Sequence, residues 1–255
     1  MKRKLTKEKS DVIVAKYRMY KKMPFTEGYT NVFIHSSNRG IGGKLSPFHL
    51  RTKEAHIFEN EWQFSKVYPH IYEQKIVRKN KKLGNKTIWE YPEEEHVDEN
   101  GQISHLYWEW RKKGMANQYA IRYPNGRKHV RECVYSLIED PSGDIKHDGE
   151  TYTKLTYIES RKRLYCALYI ELAPENPSFK LMQKMLDEGQ KIQIIEIDGP
   201  NPKWEGSAYE TVTEGSPGMD ITEENIKFLL NDPKHPFGHG YVIATLLLGH
   251  EEWLK

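Results

Sequence analysis

The segment IFENEWQFSKVY, residues 57–68, carries an acid, an amide and an amine at Glu59, Gln63 and Lys66. Positions three and four apart meet on a helix surface, so a helical reading puts a carboxylate, an amide and an ammonium in one row. Such a row can form one wall of a polar site. At about 100° per residue Glu61 falls roughly opposite Glu59, so the two acids have different surroundings. Phe58, Trp62, Phe64 and Tyr68 occupy the other arcs, and on periodicity alone the polar row is a solvated face.

Other elements must hold that row in place. Residues 30–36, TNVFIHS, are β-rich and run into NRGIGGK, whose glycines mark a turn. GIGGKL lacks both the upstream glycine and the Ser or Thr after the lysine that a phosphate loop needs. Pro69 ends or bends the helix over 57–68. From 76 to 104 the chain is charge-rich and poorly periodic, basic in VRKNKKLGNK and acidic in EYPEEEHVDENG. That pattern reads as an insertion or long surface loop whose two blocks can pair with each other.

WEWRKKG reads as a short helix, followed by β-prone stretches at 118–123 and 131–138 around an Asn-Gly turn. Residues 155–173 have helical period, with Ile158, Tyr165, Leu168 and Leu172 on an apolar side. Asn176 as N-cap, Pro177 at the first position and Gly189 as stop define the next helix. KIQIIEIDG, 191–199, alternates as a strand and delivers Glu196 and Asp198 to the loop GPNPKWEG. In that loop Trp204 is either a core anchor or a stacking platform. Thr222 caps EENIKFLLND, and YVIATLLLG, 241–249, is a buried closing helix with strand as the alternative. His235 and His239 in HPFGH have neither metalloprotease nor zinc-ribbon spacing, so no metal is expected.

With 255 residues, 37% hydrophobic and 12% aromatic, the chain can bury a core and is not of disordered composition. The expected fold class is α+β, a helix-rich single domain with a few short strands over 26–255. A net charge of +3 permits a phosphate-bearing partner without demanding one. MKRKLTKEKS has no apolar segment of the kind a secretory signal carries, and residues 1–25 read as a basic flexible arm. No apolar run approaches the roughly 20 residues of a membrane helix. Cys133 and Cys166 are far apart and read as ordinary thiols, which fits a reducing cytosol.

Taken in order, VFIHSSN, GGKLSPF, FENEWQFSK, the basic-aromatic stretch at 157–172, IIEIDGPNPKWEG and PFGHGYVIATLL resemble the NADAR family, whose members bear on NAD and ADP-ribose metabolism. That family is similar in having a short SNF-like motif, an acid-led helix of the form E, two residues, an aromatic, Q, two residues, K, a late loop with a tryptophan, and a closing LGY-like helix. Here Ser46 to Phe48 stand for the first and Glu59, Trp62, Gln63 and Lys66 for the second. Trp204 stands for the third and His239, Gly240 and Tyr241 for the last. The resemblance covers most of the chain from about residue 30. Pro47 replaces the asparagine of SNF, and Asn201 stands where an acid is expected three residues before the loop tryptophan. Asn201 cannot act as an acid or base, which leaves that role to Asp198 or Glu196.

The resemblance implies hydrolysis of a ribosyl C–N bond in an ADP-ribosyl or ribosylated base, with ADP-ribosylated guanine in DNA among the substrates and with no cofactor. Glu59 would stabilise the cationic sugar or activate water, with Asp198 as its catalytic partner. Gln63 and Lys66 would hold hydroxyl or phosphate oxygens. Ser37, Asn38 and Gly43 would offer backbone N–H groups to a diphosphate, and Phe48 and Trp204 would stack on a base. Ser46, Trp62 and His239 complete the implied substrate-binding set. Two other readings stand beside it: a non-catalytic module for NAD, ADP-ribose or modified nucleic acid, and a nucleic-acid-binding protein led by its basic arm.

Overall fold

A computed structural model describes residues 10–17, 22–36, 39–79, 84–123, 129–200 and 218–255. The chain opens with β1 (Val12–Lys16), β2 (Tyr29–Phe33) and the single turn α1 (Gly40–Gly43). Then come α2 (Phe58–Phe64), β3 (Lys66–Val67), β4 (His70–Ile71), β5 (Gln74–Arg78), β6 (Lys86–Tyr91), β7 (Glu94–Glu95) and α3 (His105–Met115). After β8 (Tyr135–Glu139), β9 (Ile145–His147), β10 (Glu150–Leu155) and α4 (Tyr157–Ser160), a π-helical stretch covers Arg161–Cys166. The last elements are α5 (Ala167–Leu172), α6 (Pro177–Asp187), β11 (Lys191–Glu196), β12 (Gly218–Asp220), α7 (Glu223–Leu230) and α8 (His239–Leu247). This is the expected α+β class. The chain divides into two compact units, residues 1–50 with 161–255, and residues 51–160.

The first unit is built on a four-stranded sheet in the order β12-β1-β11-β2. β1 and β2 both run parallel to β11, and β12 is antiparallel to β1. Val12 to Ala15 are fully buried, as are Ile192, Ile194 and Ile195. Parallel strands covered on both faces read as continuous apolar runs, which is what VIVA and IQII are. Gln193, the polar exception, accepts from Thr26 Oγ1 at 2.5 Å and donates to Asn31 Oδ1 and to Pro24 O. The basic arm expected over 1–25 is therefore corrected: its apolar stretch 12–16 is an interior strand. Residues 1–9 and 18–21 lie outside the described residues.

The helices of this unit start where the sequence signals place them. Asn176 caps α6 by accepting from Ser178 N, and Gly189 follows with φ +81°. Thr222 caps α7 by accepting from Asn225 N, and α8 is buried along nearly all its length. The apolar side drawn for 155–173 is displaced. Leu164, Tyr165, Cys166 and Tyr169 are buried, whereas Ile158, Leu168 and Leu172 are only partly so. A π-helical stretch holds more residues per turn than an α-helix, so a 3.6-residue count loses phase across it. Arg161, at its start, is buried and donates to the carbonyls of Leu229, Leu230, Asp232 and His235 at the end of α7.

The second unit has an antiparallel sheet in the order β3-β8-β10-β9 and two two-stranded sheets, β4-β7 and β5-β6. Its core is aromatic, with Phe64, Tyr68, Trp89, Tyr91, Tyr107, Trp110 and Tyr123 in one buried cluster. The Phe64 ring lies 4.5 Å from that of Trp110 and 5.1 Å from that of Trp89. The segment 76–104, expected as a surface loop, instead contributes β6 and β7 and sends Trp89 and Tyr91 into this core. The stretch 118–123, expected as a strand, is irregular. Its backbone partners are side chains, since Asn60 Nδ2 donates to the carbonyls of Asn117 and Tyr119 while Asn60 Oδ1 accepts from Ile121 N. α2 is shorter than the helix drawn over 57–68. It ends at Phe64 because Lys66 and Val67 pair with Ser136 and Tyr135 of β8.

Candidate functional site

α2 buries the polar row that periodicity assigned to solvent. Glu59 is 4% exposed and Gln63 8% exposed. Gln63 Nε2 donates to Glu59 Oε1 at 2.8 Å, and Lys66 Nζ donates to Gln63 Oε1 at 2.9 Å. The amide is thereby oriented, its donor to the carboxylate and its acceptor to the ammonium. Arg122 adds a second donor to the same oxygen, Nε to Glu59 Oε1 at 3.2 Å. Among the described residues Glu59 Oε2 takes part in no hydrogen bond. Glu61 points elsewhere and pairs with His56 at 2.9 Å.

Lys66 reaches Gln63 from β3 rather than from the helix, with its ammonium 4.6 Å from the centre of the Trp62 ring. Burial lowers the Lys66 pKa by removing water from the ammonium, a shift that Glu59 opposes and Arg122 reinforces. Burial also raises the Cys133 thiol, against the neighbouring Lys66 charge. Arg122 opens on a concavity of about 250 Å³ shared with Tyr72, Gln74, Lys75, Tyr123 and His129. There the rings of Tyr72 and His129 stack with centroids 3.8 Å apart.

The first unit contains a separate polar cluster at the end of β11. Asp198, the expected catalytic partner of Glu59, is exposed in the turn after the strand. Glu196 is the buried carboxyl instead, at 1% exposure. Its Oε2 accepts from Gly240 N at 3.0 Å and lies 3.6 Å from His239 Nδ1, at the start of α8. Its Oε1 is buried without a hydrogen-bond partner among the described residues. Burial pushes the Glu196 pKa up to about 8; the Gly240 bond opposes this and Asp198 adds to it. A Cβ on Gly238 would collide with both carboxyl oxygens, and one on Gly240 would come within 2.8 Å of the carboxyl carbon. Only glycine lets this helix start approach so closely.

Near the same cluster, Tyr169 lies parallel to the His239 ring at 6.3 Å and donates through its hydroxyl to Leu45 O at 3.1 Å. Ser46 is buried, its Oγ accepting from Phe48 N, while Gly43 is buried in α1 and Phe48 is partly exposed. Ser37, Asn38, Asn201 and Trp204 lie outside the described residues. The structure thus brings Glu59, Gln63, Lys66 and Trp62 together, and His239 with the Gly43–Phe48 loop through Tyr169. Glu59 and Asp198 belong to different compact units. Sequence reasoning missed Arg122 and Asn60, because nothing in YAIRYP or in FENEW marks a partner some sixty positions away. No protein-family model matches the chain, and no curated protein or solved structure matches it significantly.

Proposed function

We propose that the protein is an N-glycosidase-type hydrolase that breaks the ribosyl C–N bond of an ADP-ribosyl or ribosylated base, with Glu59 as the carboxylate at the anomeric carbon. The observation behind this reading is the division of labour on Glu59: Oε1 is clamped by Gln63 and Arg122, while Oε2 is uncommitted among the described residues. Breaking such a bond builds positive charge on the sugar, which a fixed carboxylate stabilises while its second oxygen orients or deprotonates water. In this reading Arg122 swings aside to admit the sugar, and the Tyr72–His129 pair offers the base a face to stack on. ADP-ribosylated guanine in DNA is the substrate to try first.

The experiment is mass spectrometry after mixing the protein with NAD and with an ADP-ribosylated oligonucleotide. Free base should appear with the natural chain, and Glu59→Gln should slow its release about 10²–10⁴-fold while keeping the fold. Normal turnover by that variant removes Glu59 from the mechanism. The Arg122 ion pair that closes over Glu59 favours a second reading, a module that binds ADP-ribose without cleaving it. Binding with no base release would select that one.

A further inference from the structure

The β5–β6 segment is rich in positive charge. Residues 74–91 hold six basic residues against one acid, an excess larger than the +3 of the whole chain. The acidic block that follows does not neutralise it. Glu93 and Glu95 pair with the two ring nitrogens of His70, and Asp98 accepts from the backbone of its own turn. Lys75 alone among the described cations of this segment has an acid, Glu90 at 2.6 Å. Arg78, Lys79 and Lys86 are exposed and form no ion pair among the described residues.

Two of these cations are brought together by the fold. Arg78 and Lys86 stand directly opposite each other in the ladder, a placement that like charges disfavour. Both also converge on Tyr119, whose ring centre lies 5.7 Å from the Arg78 guanidinium and 5.2 Å from Lys86 Nζ. Lys86 Nζ donates to the Tyr119 hydroxyl at 3.0 Å. Tyr119 is itself fixed, because Asn60 holds its carbonyl and Asn117 Oδ1 its N–H. Lysines that merely protect a strand edge from pairing need no such aromatic anchor. Gathered like charges without a carboxylate suit an anion, and an aromatic ring between them suits a base stacked beside its phosphate. A membrane surface would call for large apolar side chains beside the cations, and Val77 is the only strongly exposed one among the described residues of this segment.

We propose that Arg78, Lys79 and Lys86 on β5 and β6 and their flanks, with Tyr119, bind the sugar–phosphate backbone of single-stranded nucleic acid. From Gln74 to Ile76 the same strand lines the concavity on which Arg122 opens, so a bound strand runs towards that concavity. The surface goes beyond the glycosidase reading and does not depend on it, since binding is measured without turnover.

The test is fluorescence anisotropy of the full chain with a labelled single-stranded oligonucleotide across a salt series. Affinity should fall with salt, and Arg78→Ala with Lys86→Ala should weaken binding roughly tenfold at low salt. The same pair should reduce the log–log salt slope by about 1.4, since each phosphate contact on a single strand contributes about 0.7. Arg78→Gln with Lys86→Gln, which keeps side-chain length, should behave alike, whereas Lys227→Ala, at a cation of α7 paired with Glu223, should change little. Binding is read on an unmodified oligonucleotide that offers no bond to cleave, which separates this result from the catalytic one. The proposal is overturned by an unchanged slope in both double variants or by no binding at low salt. Tighter binding to duplex or to phosphatidylserine vesicles than to the single strand overturns it as well.

Discussion

A carboxyl group enclosed between β11 and the start of α8, as Glu196 is, costs less folding free energy as an acid than as an anion. Its pKa is raised to about 8 in the folded chain against 4.5 for the free group, so the folded state holds the proton over that interval. Stability from this residue is therefore full below about pH 4.5 and is lost as pH rises towards 8, by on the order of a few kcal/mol. Glu196→Gln keeps an acceptor for Gly240 N–H and removes the ionisation. Denaturant unfolding at pH 6.5 and pH 8.5 should show a loss for the natural chain and almost none for the variant. In IIEIDG, period-two alternation puts Glu196 and Asp198 on the same side, so the sequence identified the pair but not the buried member. That depends on where the strand stops, and it stops at Glu196. The buried row of α2 was hidden for a related reason. Its polar residues are satisfied by one another and by Arg122, a partner that helical periodicity cannot reveal.

Asn60 does for a whole segment what a neighbouring strand would otherwise do. Three hydrogen bonds from its fully buried amide fix the backbone from 117 to 121, and that segment carries both Tyr119 and Arg122. Asn60→Ala leaves three backbone groups without partners and should cost about 2–4 kcal/mol, within the range for unsatisfied buried groups. Hydrogen exchange checks the cause: the Ile121 amide should exchange much faster in the variant, while amides of the β8–β10 ladder slow or quicken only with global stability. Elements with strong end signals, such as α6 with its Asn176 cap and Gly189 stop, were legible because those signals act locally. The 118–123 stretch has β propensity but no free ladder to join, and a side-chain amide took the backbone instead.

At the scale of the whole molecule the two compact units respond to protons in opposite senses. In residues 51–160, His96 is buried against the rings of Tyr107 and Trp110, and both of its nitrogens lack hydrogen bonds among the described residues. Burial lowers its pKa to about 4, with His70 adding to the effect. The unfolded chain therefore binds the extra proton, and this unit loses about 3 kcal/mol as pH falls from 6.5 to 4. Four of the six tryptophans lie in this unit, so intrinsic fluorescence reports it. Acid titration should shift that signal over pH 6.5 to 4, and His96→Leu should flatten the shift. The other unit, through Glu196, weakens towards alkaline pH. No helix among the described residues is long and apolar enough to cross a membrane. The α+β class could be read from the order of periodic segments, but the division into units could not, because it depends on which distant strands pair. β1 makes that dependence concrete. Its neighbours in the sheet begin at residues 191 and 218, so a ribosome must deliver about 175 further residues before this strand has anything to pair with. Residues 51–160 can fold while it waits, and until then an apolar VIVA segment stays accessible to chaperones and to neighbouring nascent chains.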